Sequence, residues 1–128
     1  NKRKISIYRN DWPTPDGTCV RDYIHIEDLA EGHIAALKSL SNKKKGLIIL
    51  NLGTGQGTSV LELIKVFEEV NNIEIAYEFT SRREGDCPIL IADNLKALNY
   101  LDWYPKRRLR EMCMDGYNWL KKNQTINN

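Results

Sequence analysis

Two hydrophobic periods alternate along the chain. Residues 5–8 form a short β-favouring run, and residues 9–19, with two prolines, a glycine and three Asp or Asn, read as a loop. Residues 22–26 carry the β-branched and aromatic side chains of a short strand. From 27 to 40 the spacing changes. Leu29, Ala30, His33, Ile34, Leu37 and Leu40 recur at helical intervals, which predicts a helix with one apolar face. Asn42, the lysines at 43–45 and Gly46 end it. Residues 47–52 are apolar enough for a strand buried on both faces. A glycine-rich turn at 53–57 follows. Ser59 and Glu62 then have the S-x-x-E spacing of a capping box, in which each side chain bonds the other's backbone N–H. The predicted helix places Val60, Leu61, Ile64, Phe67 and Val70 on one side and stops at Asn71-Asn72. Residues 73–79 alternate as a half-buried strand, 80–88 form a charged loop, and 89–92 form a short strand before Asp93, a predicted N-cap. Helices are expected at 94–101 and 107–122, with a frayed polar tail at 123–128. The order β-β-α-β-α-β-β-α-α predicts an α/β domain.

Composition narrows the class. The chain has 128 residues, 41% of them apolar and 28% charged, which suits one small folded domain or a piece of a larger one. Nineteen Lys and Arg against seventeen Asp and Glu leave a net charge of +2, weaker than the basic bias of a dedicated nucleic-acid binder. No strictly apolar run is longer than that at 47–50, which falls far short of the ~20 residues that cross a bilayer. No signal-peptide run follows the first residues, and Cys19, Cys87 and Cys113 are widely spaced and odd in number. A reducing, cytoplasmic setting is the expectation.

Two constellations could hold a ligand. Gly53-Thr54-Gly55-Gln56-Gly57 lies between a strand and a capped helix, as a dinucleotide-binding loop does, but its spacing is G-x-G-x-G and no acidic strand end follows about 20 residues on. A tight turn needing positive φ is the simpler reading. In the loop Ser81-Arg82-Arg83-Glu84-Gly85-Asp86, guanidinium groups can clamp an oxyanion while a carboxylate accepts from sugar hydroxyls; a self-paired surface cluster is the alternative. Arg21 sits where a loop enters a strand and can point into a cleft or pair with Asp22 or Asp16. His25 and His33 lack metal-ligand partners at suitable spacing; both read as structural, His33 within the core. Tyr117 and Lys121 are the only Tyr-x-x-x-Lys pair, and read as packing and solvated positions. The lysines at 43–45 read as a solvated loop.

The segment from Trp12 to His33, W-P-T-P-D-G-T-C-V-R-D-Y-I-H-I-E-D-L-A-E-G-H, closely resembles the UDP-glucose 4-epimerase pattern Y-P-T-x-D-G-T-x-V-R-D-Y-I-H-V-x-D-L-A-x-G-H. Three further blocks resemble that family in the same order: Asn51-Leu52-Gly53-Thr54-Gly55 with Ser59-Val60-Leu61-Glu62, then Arg82-Arg83-Glu84-Gly85-Asp86, then Ala92-Asp93 with Lys96-Ala97 and Leu101 ahead of Trp103. The resemblance spans nearly all of residues 5–122. It implies the C-terminal, substrate-binding portion of an extended short-chain dehydrogenase, without the Rossmann half that carries the glycine fingerprint and the catalytic Tyr-x-x-x-Lys.

The resemblance also implies roles. Arg21 and Arg83 would hold the diphosphate of a UDP-sugar, Asp86 the ribose, and the backbone of Ser6 and Tyr8 the uracil. Leu90 would stand beside the sugar, where family members carry either tyrosine or a small residue. The whole enzyme would oxidise C4 of the sugar to a ketone with NAD, turn the ketone, and return hydride to its other face. It would interconvert UDP-galactose and UDP-glucose as a cytoplasmic homodimer. NAD would be held by the other half, no catalytic residue would lie in this chain, and the chain alone would be inactive. Residues 1–122 would form the UDP-sugar-binding portion, with 22–40 packed on the missing half. The alternatives are another nucleotide-sugar epimerase or dehydratase and a non-catalytic nucleotide-sugar-binding module.

Overall fold

The second helix starts as its capping box predicts. In the computed structural model, which describes residues 4–41 and 46–126, the Ser59 hydroxyl accepts from the Glu62 N–H at 3.0 Å. The Glu62 carboxylate accepts in turn from the Ser59 N–H at 3.4 Å. Helix α2 (Val60–Asn71) ends where Asn72 takes a left-handed conformation, φ 50°, and returns its N–H to the carbonyl of Glu68. The chain order is β1 (Ile5–Tyr8), β2 (Val20–Arg21), α1 (Ile26–Ser41), β3 (Thr58–Ser59), α2, β4 (Tyr77–Thr80), β5 (Ile89–Leu90), α3 (Leu95–Leu101) and α4 (Leu109–Ile126). The chain is therefore mixed α/β, with two small sheets. β1 pairs with β4 in parallel, Ser6 opposite Glu78 and Tyr8 opposite Thr80. β2 lies between antiparallel β3 and parallel β5, with Arg21 opposite both Thr58 and Leu90.

The lead-in to β2 is a lock. The Asp16 carboxylate accepts from the Thr18 N–H at 2.9 Å and the Thr18 hydroxyl at 2.7 Å, and from the hydroxyl of Ser59. Burial by itself would raise the Asp16 pKa, but these hydroxyl and N–H donors outweigh it and hold the carboxyl below its ordinary value. Gly17 closes the turn at φ +80°, and a Cβ there would stand 2.0 Å from the Asn10 carbonyl oxygen, so no side chain fits. The D-G-T triplet thus fastens the loop to the start of α2 and sets where β2 begins.

Two packed regions carry the fold. Ala97, Leu101 and Trp103 are buried against Ile24, Leu50 and Leu52. Helices α2 and α4 meet through buried Ile64 and Cys113, with Phe67 and Tyr117 edge to face at 5.8 Å. Burial pushes the Cys113 thiol up. All three cysteines are free. A polar knot ties α1 to the turn before α4. Asp28 is fully buried and accepts from the N–H groups of Lys106 and Arg107 at 3.0 and 2.8 Å and from the Arg107 guanidinium at 2.6 Å. The Trp103 indole donates to the Asp28 carbonyl at 3.1 Å.

Several expected elements move, for local reasons. The strand expected at 22–26 is displaced to Val20–Arg21, because α1 already starts at Ile26. There buried His25 accepts the Glu27 N–H on Nδ1, so its Nε2 carries the proton that faces Asp115 at 3.2 Å. The strand expected from 73 begins only at Tyr77, since Glu68 takes the N–H of Ile73 on its carbonyl and that of Ile75 on its carboxylate. Asn94, rather than Asp93, occupies the N-cap position of α3, with no side-chain cap. Its amide donates to the Gly53 carbonyl at 2.8 Å instead of capping, and Asp93 accepts from the Leu95 N–H. α4 continues through Ile126, past the expected end at 122, because residues 123–126 contain no glycine or proline to stop it; residues 127 and 128 of the expected tail lie outside the described residues. The lysines at 43–45 also lie outside them.

The largest correction concerns 47–52. This stretch joins no sheet among the described residues, and Leu47, Ile48 and Ile49 are exposed. A β-rich sequence becomes a strand only where a neighbour supplies backbone partners. His33, expected in the core, is likewise exposed, with its Nδ1 2.8 Å from the Leu29 carbonyl oxygen. The α1 face that includes Ile34, Leu37 and Leu40 is exposed among the described residues. No helix among the described residues is long and apolar enough to cross a membrane.

Candidate functional site

A cleft of about 240 Å³ opens where the two sheets meet. It is lined by Ser6, Ile7 and Tyr8 of β1, Cys19, Arg21 and Tyr23 on the β2 segment, Val60 at the start of α2, and Arg83 and Asp86 from the charged loop. Five of the six site residues expected from sequence, Ser6, Tyr8, Arg21, Arg83 and Asp86, are therefore brought together. The sixth, Leu90, is not in this cleft. It is 61% exposed and lines an adjoining opening of about 500 Å³, of which Arg21 forms the shared wall. The β2–β5 register puts Leu90 directly opposite Arg21, so the two openings are one pair of residues apart.

The two arginines are held differently. Arg21 Nη1 donates to the carbonyls of Val20 and Cys87, each at 2.9 Å, and its Nη2 lies 3.7 Å from Asp86 Oδ1. One edge of the guanidinium is thus anchored to backbone, and the side chain is only 25% exposed. Arg83 is 59% exposed, pairs with Asp86 through Nε at 3.2 Å, and stacks over the Tyr8 ring at 4.1 Å. The hydrogen bond that Arg83 donates to Asp86 is the largest influence raising the Arg83 pKa. Arg82 stacks over Trp12 at 3.9 Å. The charged loop is self-paired through Arg83 and Asp86, and the same contacts set both groups facing one cleft.

Sequence reasoning passed over Cys19 and Tyr23. Both lie two residues from Arg21, and alternate residues of an extended chain share a face, which was the available signal. Burial is the main influence that raises the Tyr23 pKa, against a lowering by Arg21, so its hydroxyl stays a donor at neutral pH.

Asp22, offered by the sequence only as an ion-pair partner of Arg21, instead explains the glycine loop. The Asp22 carboxylate accepts from the Thr54 N–H at 2.9 Å, the Thr54 hydroxyl at 2.5 Å, the Gly55 N–H at 2.9 Å and the Ala92 N–H at 3.3 Å. A Cβ on Gly53 would stand 2.8 Å from an Asp22 oxygen and 2.5 Å from Ala92 Cβ. The loop's glycines let backbone close around a carboxylate of the protein itself. With those donors engaged, the loop does not fit a dinucleotide phosphate. Tyr117 and Lys121 lie away from the cleft, Lys121 Nζ 4.5 Å from the ring centroid and Tyr117 packed on Phe67. No group of His, Cys, Asp or Glu among the described residues could hold a metal ion.

Comparison with known proteins agrees in family. Residues 1–53 match the profile of the NAD dependent epimerase/dehydratase family. The chain is 50% identical over 120 residues to UDP-glucose 4-epimerase of Bacillus subtilis, covering 94% of this chain and 35% of that protein. It is 48% identical over 122 residues to the Yersinia pestis UDP-glucose 4-epimerase, covering 95% and 36%. The fold superposes on UDP-glucose 4-epimerase of Stenotrophomonas maltophila, solved with NAD and formylated UDP-arabinopyranose, with TM-score 0.92 and 41% identity over 96% of this chain and 36% of that one. The Bifidobacterium longum protein, solved with NAD+ and UDP, gives TM-score 0.89 and 42% identity over 95% and 36%. The chain spans about a third of the length of these relatives. It is a homologue of part of the length of the UDP-glucose 4-epimerases, and its first 53 residues match the NAD dependent epimerase/dehydratase family.

Proposed function

We propose that the chain is the C-terminal, UDP-sugar-binding portion of an NAD-dependent UDP-glucose 4-epimerase that interconverts UDP-galactose and UDP-glucose. The observation that carries this reading is the convergence of Ser6, Tyr8, Arg21, Arg83 and Asp86 on one cleft. Arg21, with one edge anchored on the Val20 and Cys87 carbonyls, offers the other to a phosphate. Arg83 closes on the diphosphate from the loop side. Asp86 accepts from the ribose hydroxyls, and the backbone of Ser6 and Tyr8 runs along the uracil. The sugar extends past Arg21 into the adjoining opening beside Leu90. These groups bind and orient; none supplies acid, base or hydride. Binding energy gathered on the nucleotide holds the substrate while the sugar turns. NAD and the catalytic pair belong to a part of the enzyme outside this chain, consistent with a glycine loop whose donors are engaged by Asp22. The reading carries with it a cytoplasmic homodimer.

The test is an assay of UDP-galactose and UDP-glucose interconversion. The intact protein is expected to turn over and the 128-residue chain alone to show no activity; turnover by the isolated chain, free of contaminating enzyme, overturns the division of labour. The isolated chain should also self-associate or melt broadly, because Ile34, Leu37, Leu47 and Ile49 remain exposed. Sedimentation showing a monodisperse monomer with a sharp cooperative melt would contradict this.

Leu90 bears on sugar choice. Leucine lacks the ring of tyrosine yet is bulkier than cysteine, so we expect some turnover of UDP-N-acetylglucosamine, slower than that of UDP-glucose. Leu90→Tyr should abolish the former and spare the latter. An unchanged ratio of kcat/KM for the two sugars would place the side chain elsewhere.

A further inference from the structure

The charged loop leans on two aromatic rings. The Arg83 guanidinium lies 4.1 Å from the centroid of Tyr8, and that of Arg82 lies 3.9 Å from the centroid of Trp12. Both rings belong to the end of β1 and the turn after it, and the Trp12 indole donates to the Tyr8 carbonyl at 3.4 Å. Trp12 stands on a fixed platform. Its N–H donates to the Gly17 carbonyl at 3.0 Å, and its carbonyl accepts from the Thr14 N–H at 2.8 Å. Asp16 fastens the same turn to Ser59 at the start of α2. The loop is less supported, with residues 81–85 exposed. Arg82 Nη2 donates to the Asp86 carbonyl at 3.3 Å, and the Asp86 N–H donates to the Arg83 carbonyl at 3.4 Å, so these bonds close the loop on itself. Arg21 ties down its far end, through Asp86 and the Cys87 carbonyl. The near end rests on the rings.

We propose, resting on the UDP-sugar reading above, that Trp12 is a positioning residue of this site: through Arg82, its indole face holds the charged loop where Arg83 and Asp86 meet the cleft. Tyr8 and Arg83 line the cleft, whereas Trp12 and Arg82 stand outside its lining. Trp12 therefore acts on a ligand through the loop. An indole face attracts a guanidinium more strongly than other aromatic rings do, and stacking leaves the guanidinium edge free to donate. Arg82 uses that edge on the Asp86 carbonyl, so stack and hydrogen bond together fix the bend that Gly85 makes at φ +83°. A loop ordered before the ligand arrives removes that cost from binding. Without the ring, fewer molecules hold the loop in place, and apparent affinity falls with the fraction that do. Asp11 is also near. The hydrogen bond from Arg9 chiefly holds its carboxyl below the ordinary value, and the Arg82 charge adds to the lowering. That carboxylate is present in every Trp12 variant, so changes at Trp12 read the ring.

Calorimetry with UDP on the intact protein tests this. Trp12→Leu keeps apolar bulk and loses the π face. It should weaken UDP about two- to fivefold, the scale of a cation–π contact at an exposed site. Trp12→Tyr, which keeps a π face, should retain most of the affinity. Arg82→Met, at an exposed position, should weaken UDP by a similar factor, and in that background Trp12→Leu should cost nothing more. Wild-type affinity in Trp12→Leu overturns the proposal, as does a loss in Trp12→Tyr equal to that in Trp12→Leu. So does an equal loss from Trp12→Leu with and without the Arg82 charge, which would make the ring a support of the fold alone. Should Trp12→Leu fail to fold, Arg82→Met decides: weaker UDP binding upholds the proposal and wild-type affinity overturns it. The site reading fails separately, by Arg21→Ala leaving UDP affinity intact.

Discussion

Replacing Asp28 with alanine is expected to destabilise the chain by about 3 kcal/mol, the lower end of the cost of breaking a buried ion pair. The carboxylate has no exposed surface and satisfies two backbone N–H groups and a guanidinium at once. Alanine would leave the Lys106 and Arg107 N–H groups without their acceptor in the interior. Arg107 is partly exposed and also touches Glu27 and Glu31, so it can recover partners, which argues for the lower figure. Measured on the intact protein, the loss should move a urea midpoint far to lower concentration. Glu31→Ala, on the rim of the same knot, should shift it little. An Asp28→Ala midpoint within error of wild type would mean that water replaces the carboxylate freely.

The same residue sets an acid limit. Burial works to raise the Asp28 pKa, but the backbone and side chain of Arg107 and the backbone of Lys106 outweigh it, and the net pKa lies below the ordinary carboxylate value. A depressed folded-state pKa contributes stability that is fully present above the unfolded value near 4 and is lost as pH falls through the folded one. Stability attributable to Asp28 should therefore be flat from neutral pH to about 4 and decline below it. Asp16, lowered by its own donors, should add to the same acid-side loss.

The second large effect concerns ligand affinity. Arg21→Ala should weaken UDP binding by about 10- to 150-fold, the range for losing a charge-assisted contact worth about 1.5–3 kcal/mol. The backbone carbonyls of Val20 and Cys87 hold this guanidinium in place, so little ordering remains to be done when a phosphate arrives. Arg83 starts from a more exposed position, paired to Asp86 and stacked on Tyr8. Its removal should cost less, about tenfold at most. Titration calorimetry with UDP on the intact protein measures both. Equal affinity in wild type and Arg21→Ala would take that arginine out of the site.

Much of this was legible along the chain because the signals were local. The Ser59–Glu62 box, the break at Asn71-Asn72 and the helical spacing of α1 and α2 depend on neighbours within a few residues, and these elements formed close to their expected bounds. Chemistry also singled out Arg21, Arg83 and Asp86 by type. Tertiary structure alone decided what those groups face. Arg21 and Arg83 are 62 positions apart and share a cleft because β2 pairs with β5 and β1 with β4, and pairing partners that distant leave no periodic trace. It decided that the glycine loop serves Asp22, since a donor-rich turn reads alike whether its N–H groups meet a phosphate or a carboxylate of the protein. It decided the fate of 47–52 as well: apolar, β-branched residues determine a readiness to pair, but a strand exists only where another backbone lies alongside to bond it.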